Sequence, residues 1–441
     1  MLNAKLICML FYNLNKHSEK VDFRTATIQG LGSEKGLFFP EYIPLFPESW
    51  IYNLDSEPDE EIAWYVMNQY AGDSMPETTL RRILQETISF DIPLVSLSSR
   101  ISTLELFHGP TLAFKDVGAR FMSRCLGHFM KGQDRPVTVL VATSGDTGGA
   151  VASGFVDVEG VNVVILYPSG KVSLVQELQL TTSGKNIMAY DVDGSFDDCQ
   201  TLVKQAFSDP DLNEKIFLTS ANSINVARWL PQQIYYFLAW KQWNDKLKPP
   251  VISVPSGNFG NICAGLLAYH SGLPVSHFIA ACNSNAVIPE YLKTGTYKPA
   301  KARATLSNAM DVGDPSNFVR VLALFNSEFE PLKKMMSSES ISDDETGEAL
   351  DSIYHLYKYQ ADPHGAVGWL ALNRWLEKNP TESGIFLETA HPVKFPEVVE
   401  QFSGHSVIVP ESVSELFEKK KSAVKMAADY QLFRKELLRT R

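Results

Sequence analysis

Lys115 is the residue whose type and setting first indicate covalent chemistry. It lies in the segment HGPTLAFKD, residues 108–116, between apolar residues and just before a helical pattern at 117–129. Burial and the N-terminus of a helix both destabilise an ammonium group and so lower the pKa of a lysine in this setting. A neutral amine can attack an aldehyde or carry a proton. The alternative is an exposed lysine whose charge Asp116 balances, and this segment alone does not exclude it.

Two turns rich in glycine supply groups that can bind anions. Residues 143–150 read TSGDTGGA and residues 255–261 read PSGNFGN, and each follows a β-branched run. Backbone N–H groups in a strand-to-helix turn can bind a carboxylate or phosphate, and glycine allows close approach of the anion. The first turn is not a P-loop, because no lysine follows its glycines. Taken singly, either turn could merely be a bend in the chain.

The combination of two such turns with a lysine that can be neutral narrows the chemistry. It indicates a cofactor that carries both a phosphate and an aldehyde, and a substrate that carries a carboxylate. Pyridoxal 5'-phosphate (PLP) has both groups. A nicotinamide cofactor fits less well, because neither turn has the G-x-G-x-x-G spacing and no acidic residue is placed to hold a ribose.

Two further segments place polar groups at the ends of predicted elements. Residues 221–229 read ANSINVARW, in which Asn225 and Arg228 are three positions apart and share a helix face. Arginine suits bidentate recognition of phosphate, although a helix cap with an exposed arginine explains the segment equally well. Residues 385–395 read IFLETAHPVKF. The hydroxyl of Thr389 can bond to a ring nitrogen or merely end the strand.

The elements that must position these residues alternate from about residue 137 onwards. β-Branched runs predict strands, and amphipathic segments between them predict helices. The predicted strands are residues 137–142, 161–166, 187–192, 251–255 and 277–282, and the predicted helices are residues 197–207, 226–243 and 260–270. This alternation predicts an α/β protein with mostly parallel sheets flanked by helices. The first hundred residues, with helices predicted at 60–70 and 76–86, form an N-terminal lobe.

Two charged segments have simpler interpretations than ligand binding. Residues 337–348, SSESISDDETGE, predict a solvated loop or helix start within an insertion near 327–350. The three lysines at 419–421 lie in a C-terminal helical pattern and predict an exposed helix face.

The composition limits the class of protein. The chain has 441 residues, 44% hydrophobic and 21% charged, which is typical of a globular protein with two or three domains. Its 40 Lys and Arg against 51 Asp and Glu give a net charge of −11, which disfavours binding to nucleic acid or anionic membranes. The five cysteines form no C-x-x-C pair, so they predict buried packing roles in a reducing compartment and no metal site.

The sequence contains no evident signal for export or membrane insertion. The apolar residues 6–11 are shorter than a secretory core, and no small-x-small cleavage site follows them. No stretch approaches the roughly 20 apolar residues that a bilayer span needs. We therefore predict a cytoplasmic protein, with Met9 as an alternative translation start to Met1.

Five segments lie in an order that indicates a known family. They are HGPTLAFKDVGARFM at 108–122, TSGDTGGA at 143–150, ANSINVARWLPQ at 221–232, PSGNFGN at 255–261 and ETAHPVKFPE at 388–397. Together they resemble threonine synthase, a family of PLP enzymes with the fold of the tryptophan synthase β-subunit. The N-terminal lobe is similar to that of the longer microbial and fungal members, although Asn13 and Leu14 replace the family's usual Ser-Thr.

The resemblance implies a fold type II enzyme that converts O-phospho-L-homoserine and water to L-threonine and phosphate. The reaction is a γ-elimination followed by β-hydration, the last step of threonine biosynthesis. Lys115 would bind the aldehyde of PLP covalently and move protons at the substrate's α- and β-carbons. The other implied cofactor-binding residues are Phe114, Asp146 near the ring hydroxyl, Gly257, Asn258, Phe259, Gly260 and Asn261 around the phosphate, and Thr389 at the pyridine nitrogen. A carboxylate beside the ring hydroxyl is unfavourable unless one of the two carries a proton.

The resemblance also implies two substrate-binding groups of residues. Thr143, Ser144, Gly145 and Thr147 would bind the substrate carboxylate, and Asn225 and Arg228, with Lys394 and Arg120 as further candidates, would bind its phosphate. Closure of the lobes would exclude water during elimination. The implied domains are residues 1–100, 101–255 and 256–441, in a monomer or homodimer.

Other activities remain open at this point. A phospho-lyase that releases 2-oxobutyrate, and a threonine or serine dehydratase, would share the lysine and the phosphate turn. The segments ANSINVAR and ETAHPVKF favour the synthase. A homologue that has lost PLP would lack Lys115 or the glycines beside Asn258, and both are present. A hydrolase with Ser144 as nucleophile would need a G-x-S-x-G elbow, which is absent.

Overall fold

Three β-sheets and twenty α-helices make up the described part of the protein. The computed structural model describes residues 8–182 and 184–439, so expectations about Met1 and the beginning of segment 6–11 lie outside it. The strands are β1 (Leu10–Asn13), β2 (Lys16–Asp22), β3 (Phe38–Pro40), β4 (Leu94–Ser96), β5 (Ile101–Glu105), β6 (Val137–Ala142), β7 (Val161–Pro168), β8 (Ile187–Asp193), β9 (Phe217–Ser220), β10 (Val251–Pro255), β11 (His277–Cys282), β12 (Met336–Ser340), β13 (Gly384–Glu388) and β14 (Val424–Ala427).

The helices cover both sides of the sheets and build most of the N-terminal lobe. They are α1 (Phe23–Gln29), α2 (Glu48–Ile51), α3 (Asp59–Ala71), α4 (Glu77–Thr87), α5 (Lys115–Met130), α6 (Asp146–Phe155), α7 (Leu174–Thr181), α8 (Phe196–Ser208), α9 (Pro210–Lys215), α10 (Val226–Trp229), α11 (Gln233–Gln242), α12 (Gly260–His270), α13 (Val287–Thr294), α14 (Phe318–Leu324), α15 (Phe329–Met335), α16 (Asp343–Tyr357), α17 (Pro363–Lys378), α18 (Pro396–Ser403), α19 (Glu411–Phe417) and α20 (Tyr430–Leu437).

The two larger sheets are mostly parallel. One has the order β12-β11-β10-β13-β5-β4, in which only the β4–β5 pair is antiparallel. The other has the order β14-β8-β7-β6-β9 and is parallel throughout. Every residue of β6, β10 and β11 is buried, as expected for parallel strands covered on both faces.

One hydrophobic core joins the N-terminal lobe to both large sheets. The small antiparallel sheet β2-β1-β3 lies in this lobe. Phe23 of α1 contacts Phe121 of α5, with ring centroids 6.2 Å apart. The same cluster includes Val139 of β6 and Val254 of β10. The N-terminal lobe is therefore packed directly on α5, the helix that begins with Lys115.

Most of the predicted elements are present. The bounds of β6, β10, β11 and α12 are those predicted, while β7 and β8 extend to Pro168 and Asp193. The helix predicted at 226–243 is interrupted, because a 3₁₀ segment at Leu230–Gln232 separates α10 from α11. Pro231 lies in this segment and cannot donate a backbone hydrogen bond, which explains the break.

Three of the expectations were wrong in detail, those for residues 337–340, for the lysines at 419–421 and for Cys8. Residues 336–340 form the edge strand β12, parallel to β11, because an edge strand tolerates polar residues on its exposed side. The second half of the acidic segment does start a helix, α16, whose N-cap Ser342 forms a capping box with Glu345. The lysines at 419–421 follow the end of α19 at Phe417, and Lys421 pairs with Glu177. Cys8 is exposed, whereas the other four cysteines are buried.

None of the helices in the described ranges is both long enough and apolar enough to span a bilayer.

Candidate active site

The predicted functional segments converge where parallel strands end. The turn 143–150 follows β6, the turn 256–261 follows β10, and Thr389 follows β13. Lys115 is brought beside them by backbone contacts, since Phe114 N donates to the Thr389 carbonyl over 2.9 Å and Ala113 bridges Ala390. The carboxyl ends of parallel strands are a common location for ligand sites in α/β proteins.

Lys115 is the first residue of α5, and its side chain is only 16% exposed. Its Nζ lies 3.4 Å from Oδ2 of Asp146. Burial lowers the pKa of Lys115 from its ordinary value, Asp146 opposes this, and the nearby charges of Lys394 and Arg228 add to the lowering. The structure therefore provides the setting that the sequence predicted for a lysine that can become neutral.

Asp146 is a buried carboxylate held between two lysines. Its Oδ1 lies 2.7 Å from Nζ of Lys394 and accepts a hydrogen bond from Gln176 Nε2 over 3.0 Å. Burial opposes ionisation, but Lys394 and Lys115 hold the pKa of Asp146 below its ordinary value. Asp146 is thus ionised. It therefore does not itself carry the proton that a carboxylate beside a ring hydroxyl requires, and another group must carry it. Gln176 was not identified from the sequence, although its capping box with Ser173 gave a local signal.

Lys394 is fully buried and belongs to the Lys115 site. Its Nζ donates to the Thr111 carbonyl over 2.8 Å in addition to its contact with Asp146. The two amines are close, because both contact the carboxylate of Asp146.

The first glycine-rich turn is braced from within. Oγ1 of Thr143 accepts hydrogen bonds from the N–H groups of Gly145 and Gly148, each over 2.9 Å. Gly145 has φ +135°, and a Cβ at this position would lie 2.4 Å from the Gln176 side chain. Ser144 and Thr147 are half-buried at the N-terminus of α6. These two hydroxyls and the helix N-terminus are therefore the groups suited to a carboxylate.

The second glycine-rich turn forms a tight cradle before α12. Phe259 adopts φ +61°, and a Cβ on Gly257 would lie 2.6 Å from the Cα of Met310. The side chain of Asn258 is partly used, since its Nδ2 donates to Ser223 Oγ and its Oδ1 accepts from Ser316 N. Asn258 can therefore offer an anion its backbone N–H and the second N–H of its amide.

Asn261 has an unused donor in this cradle. Its Oδ1 accepts hydrogen bonds from the hydroxyls of Tyr235 and Tyr236, each over 2.7 Å. Its Nδ2 is buried and has no partner in the described part of the chain. Because buried polar groups are normally paired, this donor indicates a bound acceptor such as a phosphate oxygen.

Arg228 presents the clearest unpaired group of the site. It is 2% exposed, and its Nε and Nη1 have no partner among the described residues. Burial lowers its pKa to about 10, an effect that Asp116 partly opposes. A buried guanidinium with free donors is suited to bind an anion bidentately.

The three other predicted phosphate ligands are engaged elsewhere, Lys394 by Asp146 and the Thr111 carbonyl. Asn225 is the N-cap of α10, with Oδ1 accepting from Ala227 N and Nδ2 donating to the carbonyls of Thr27 and Ser220. Arg120 donates to the Glu86 carbonyl and to Ser89. Asn225 therefore positions the start of α10, and Arg120 fastens α5 to the N-terminal lobe.

The buried charges of the site have an excess of positive sign. The cationic side chains near the turns are Lys115, Lys394, Arg228 and Arg320, and the carboxyl groups beside them are Asp116 and Asp146, while the other buried carboxyl groups, Asp362 and Glu388, are joined to each other by a hydrogen bond from Asp362 N. Burial raises the pKa of Asp116, which accepts two hydrogen bonds from Thr111. This excess of positive charge predicts that the ligands of the site are anions.

These features fit PLP. The cradle at 257–261 and the free amide of Asn261 fit a phosphate, and the buried amine of Lys115 fits an aldehyde. The backbone contact between Phe114 and Thr389 places the latter beside the lysine, as a ring-nitrogen partner requires.

Comparison with known proteins supports the same chemistry. The family described as "Threonine synthase N terminus" matches residues 11–88. "Pyridoxal-phosphate dependent enzyme" matches residues 97–387, and "Threonine synthase, C-terminal" matches residues 365–436.

Full-length relatives agree with the family matches. The chain is 43% identical to threonine synthase of Escherichia coli (strain K12) over 431 residues, 98% of this chain and 99% of that protein. The crystal structure of E. coli threonine synthase superposes with a TM-score of 0.91 at 42% identity, covering 98% of this chain and 100% of that one. PLP-bound threonine synthase from Brucella melitensis gives 0.91 at 31% identity, covering 98% and 99%. The predicted fold type and the predicted cofactor are confirmed, and the chain belongs to the threonine synthase family of PLP-dependent enzymes.

Proposed function

We propose that this protein converts O-phospho-L-homoserine and water to L-threonine and phosphate. The observation that carries the proposal is Arg228, which is buried, has two unpaired nitrogens and packs against Gly118, three residues after Lys115 on α5. The turn at 257–261 already accounts for the cofactor phosphate. A second anion site close to the reactive lysine fits a phosphorylated substrate, whereas a dehydratase acting on free serine or threonine needs none.

Lys115 and its partners carry out the proton transfers. PLP, when bound at 257–261, supplies an electron sink for bond breaking at the substrate. Lys115 Nζ takes and returns protons at the substrate's α- and β-carbons, since burial lowers its pKa and so favours the neutral amine. Asp146 orients the amine of Lys115. Its single negative charge balances one positive charge on the pair Lys115 and Lys394.

The substrate is held at its two charged ends. Ser144, Thr147 and the N-terminus of α6 bind the carboxylate. Arg228 binds the phosphate through Nε and Nη1 and stabilises the charge that grows as phosphate leaves. Because Arg228 and Lys394 are almost inaccessible to solvent, few water molecules compete with these contacts or reach the substrate during elimination.

The test is the product formed from O-phospho-L-homoserine. The purified protein, loaded with PLP, is incubated with this compound, the organic product is identified by NMR, and released phosphate is quantified. We expect L-threonine and phosphate in equal amounts. Phosphate with 2-oxobutyrate would instead establish a phospho-lyase, and no phosphate release from this compound would refute the proposal.

A further inference from the structure

Arg320 of α14 is a second buried arginine in the neighbourhood of the site, and it is fully hydrogen-bonded. Its side chain is 0% exposed. Nε and Nη2 both donate to the Phe38 carbonyl, over 3.2 and 3.0 Å. Nη2 also donates to the Ile224 carbonyl, and Nη1 donates to the Ser223 carbonyl and to Asn317 Oδ1, over 2.6, 3.0 and 2.8 Å. All five N–H groups are therefore used.

None of the acceptors of Arg320 carries a charge. They are three backbone carbonyls and one amide oxygen, and no carboxylate within residues 8–182 and 184–439 forms an ion pair with it. The guanidinium lies over the ring of Trp229, 4.5 Å from the ring centre. Burial lowers the pKa of Arg320 to about 9. A buried cation without a counterion is unfavourable, so hydrogen bonding alone does not explain why a charged side chain is buried here.

Two residues connect Arg320 to the turn at 257–261. Asn317, which binds the guanidinium through Oδ1, donates from Nδ2 to the Asn258 carbonyl over 3.2 Å and to Ser223 Oγ over 2.9 Å. Ser223 Oγ in turn accepts from Asn258 Nδ2. A Cβ on Gly260 would lie 3.1 Å from Ser223 Cβ, so the turn is in direct contact with this pair.

We propose that Arg320 is a positioning residue that provides the buried counter-charge for the phosphate group of PLP and so favours PLP over pyridoxal. The inference rests on the proposed placement of that phosphate at 257–261. The hydrogen bonds shape the turn, and the charge acts across Asn317 and Ser223, because electrostatic interactions reach farther than contacts in a protein interior. The contact with the Phe38 carbonyl extends this arrangement to β3 of the N-terminal lobe.

The experiment compares the dissociation constants of PLP and pyridoxal, which differ only in the phosphate. Both are measured on cofactor-free protein by the absorbance of the lysine-bound form. In Arg320→Gln we expect PLP to bind roughly tenfold to a hundredfold more weakly, the order expected for loss of one charge interaction in a protein interior, while pyridoxal changes by less than about threefold. Arg320→Lys, which keeps the charge, should retain most of the preference for PLP.

Arg100 offers a matched control for the loss of hydrogen bonds. It is a half-buried arginine whose guanidinium, like that of Arg320, donates to uncharged acceptors, here the backbone carbonyls of Leu376, Asn379 and Glu382, each over 2.9 Å. Arg100→Gln should lower the melting temperature and leave the ratio of the two dissociation constants unchanged. If Arg320→Gln weakens PLP and pyridoxal equally, Arg320 acts only through folding and the inference is wrong.

A second variant tests the charge with all hydrogen bonds of Arg320 in place, in case Arg320→Gln does not fold. Cys263 is buried on α12, and its thiol lies beside Trp229, the ring that the guanidinium of Arg320 covers. Cys263→Asp would supply the missing carboxylate, and Cys263→Ser is its control. We expect Cys263→Asp to match Cys263→Ser in melting temperature without cofactor but to lose the preference for PLP. A melting temperature well below that of Cys263→Ser would show that Arg320 has no unbalanced charge to offer.

The placement of the phosphate is checked separately with Gly257→Ala, whose Cβ would meet Met310 in the cradle. It should reduce PLP binding more than pyridoxal binding. If Gly257→Ala leaves the ratio unchanged, the proposed phosphate site is wrong. If Gly257→Ala changes the ratio but the Arg320 and Cys263 variants do not, the proposed phosphate site is supported and the proposed role of Arg320 is wrong.

Discussion

Replacement of Arg228 by methionine is expected to stabilise the ligand-free protein and to impair its use of substrate. The side chain is 2% exposed, and burial lowers its pKa from 12.5 to about 10. This lowering corresponds to about 3 kcal/mol of destabilisation of the charged form, at about 1.4 kcal/mol per pH unit. Methionine has a similar volume and no charge, so the free energy of unfolding at pH 7 should rise by about 1–3 kcal/mol.

The effect on catalysis should have the opposite sign. Two charge-assisted hydrogen bonds from Nε and Nη1 to the substrate phosphate would contribute about 1.5–3 kcal/mol each, so kcat/KM for O-phospho-L-homoserine should fall at least about a hundredfold. The PLP content of the purified variant should stay near that of the wild type. Urea unfolding of the ligand-free protein and steady-state kinetics measure the two effects.

Arg124 provides the matched control on the neighbouring helix α5. Its side chain is 22% exposed, and its Nε pairs with Glu86 Oε2 over 2.9 Å. Arg124→Met should therefore lower the free energy of unfolding and leave KM unchanged. If Arg228→Met destabilises the protein as much as Arg124→Met, the charge of Arg228 is balanced in the folded state. If Arg228→Met leaves kcat/KM unchanged, Arg228 does not bind the substrate phosphate.

Three further outcomes are expected. Lys115→Ala should abolish the visible absorbance of the lysine-bound cofactor, and persistence of the band in the purified variant would assign it to another lysine. Gly145→Ala should lower the melting temperature much more than Gly170→Ala, because both have positive φ but only Gly145 has a side chain, that of Gln176, within 4 Å; equal losses would contradict this. Burial, with the nearby charges of Asp362 and Glu105, raises the pKa of Glu388, so the folded state binds more protons than the unfolded state and stability falls as the pH rises above about 4.5. Glu388→Gln should flatten that fall in a series of melting curves, and an unchanged slope would locate the proton elsewhere.

The fold was largely predictable because its strands are continuous apolar runs. β6, β10 and β11 are buried along their whole length, so the period and the length of each run are both visible in the sequence. The edge strand β12 was missed, since the residues Ser337–Ser340 have no apolar run and become a strand only by pairing with β11. Whether such residues form a strand depends on their pairing with another strand, which the local composition does not reveal.

The site was predictable where it lies in a local motif and unpredictable where it depends on packing. Lys115, Asp146 and the two turns stand beside their own glycines and helix starts, which the sequence displays. Asn225 carried a local signal as well, but its amide turned out to bind Thr27, almost 200 residues earlier in the chain. No sequence motif marked Arg320, because its role depends on hydrogen bonds to carbonyls of two segments that are distant in the sequence.

Under the two proposals made above, Arg228 and Arg320 serve two anions in one site. Both are buried without a carboxylate partner, yet Arg320 uses all five of its N–H groups on the protein, whereas two nitrogens of Arg228 have no partner among the described residues. A guanidinium with no free donor can influence an anion only through its charge, and so suits a group that stays bound through the catalytic cycle. One with free donors can form and release direct contacts at each turnover, as a substrate phosphate requires. On these proposals Arg320 serves the phosphate that stays bound and Arg228 the phosphate that leaves, and the unpaired charges of both would make the ligand-free state less stable than the loaded one.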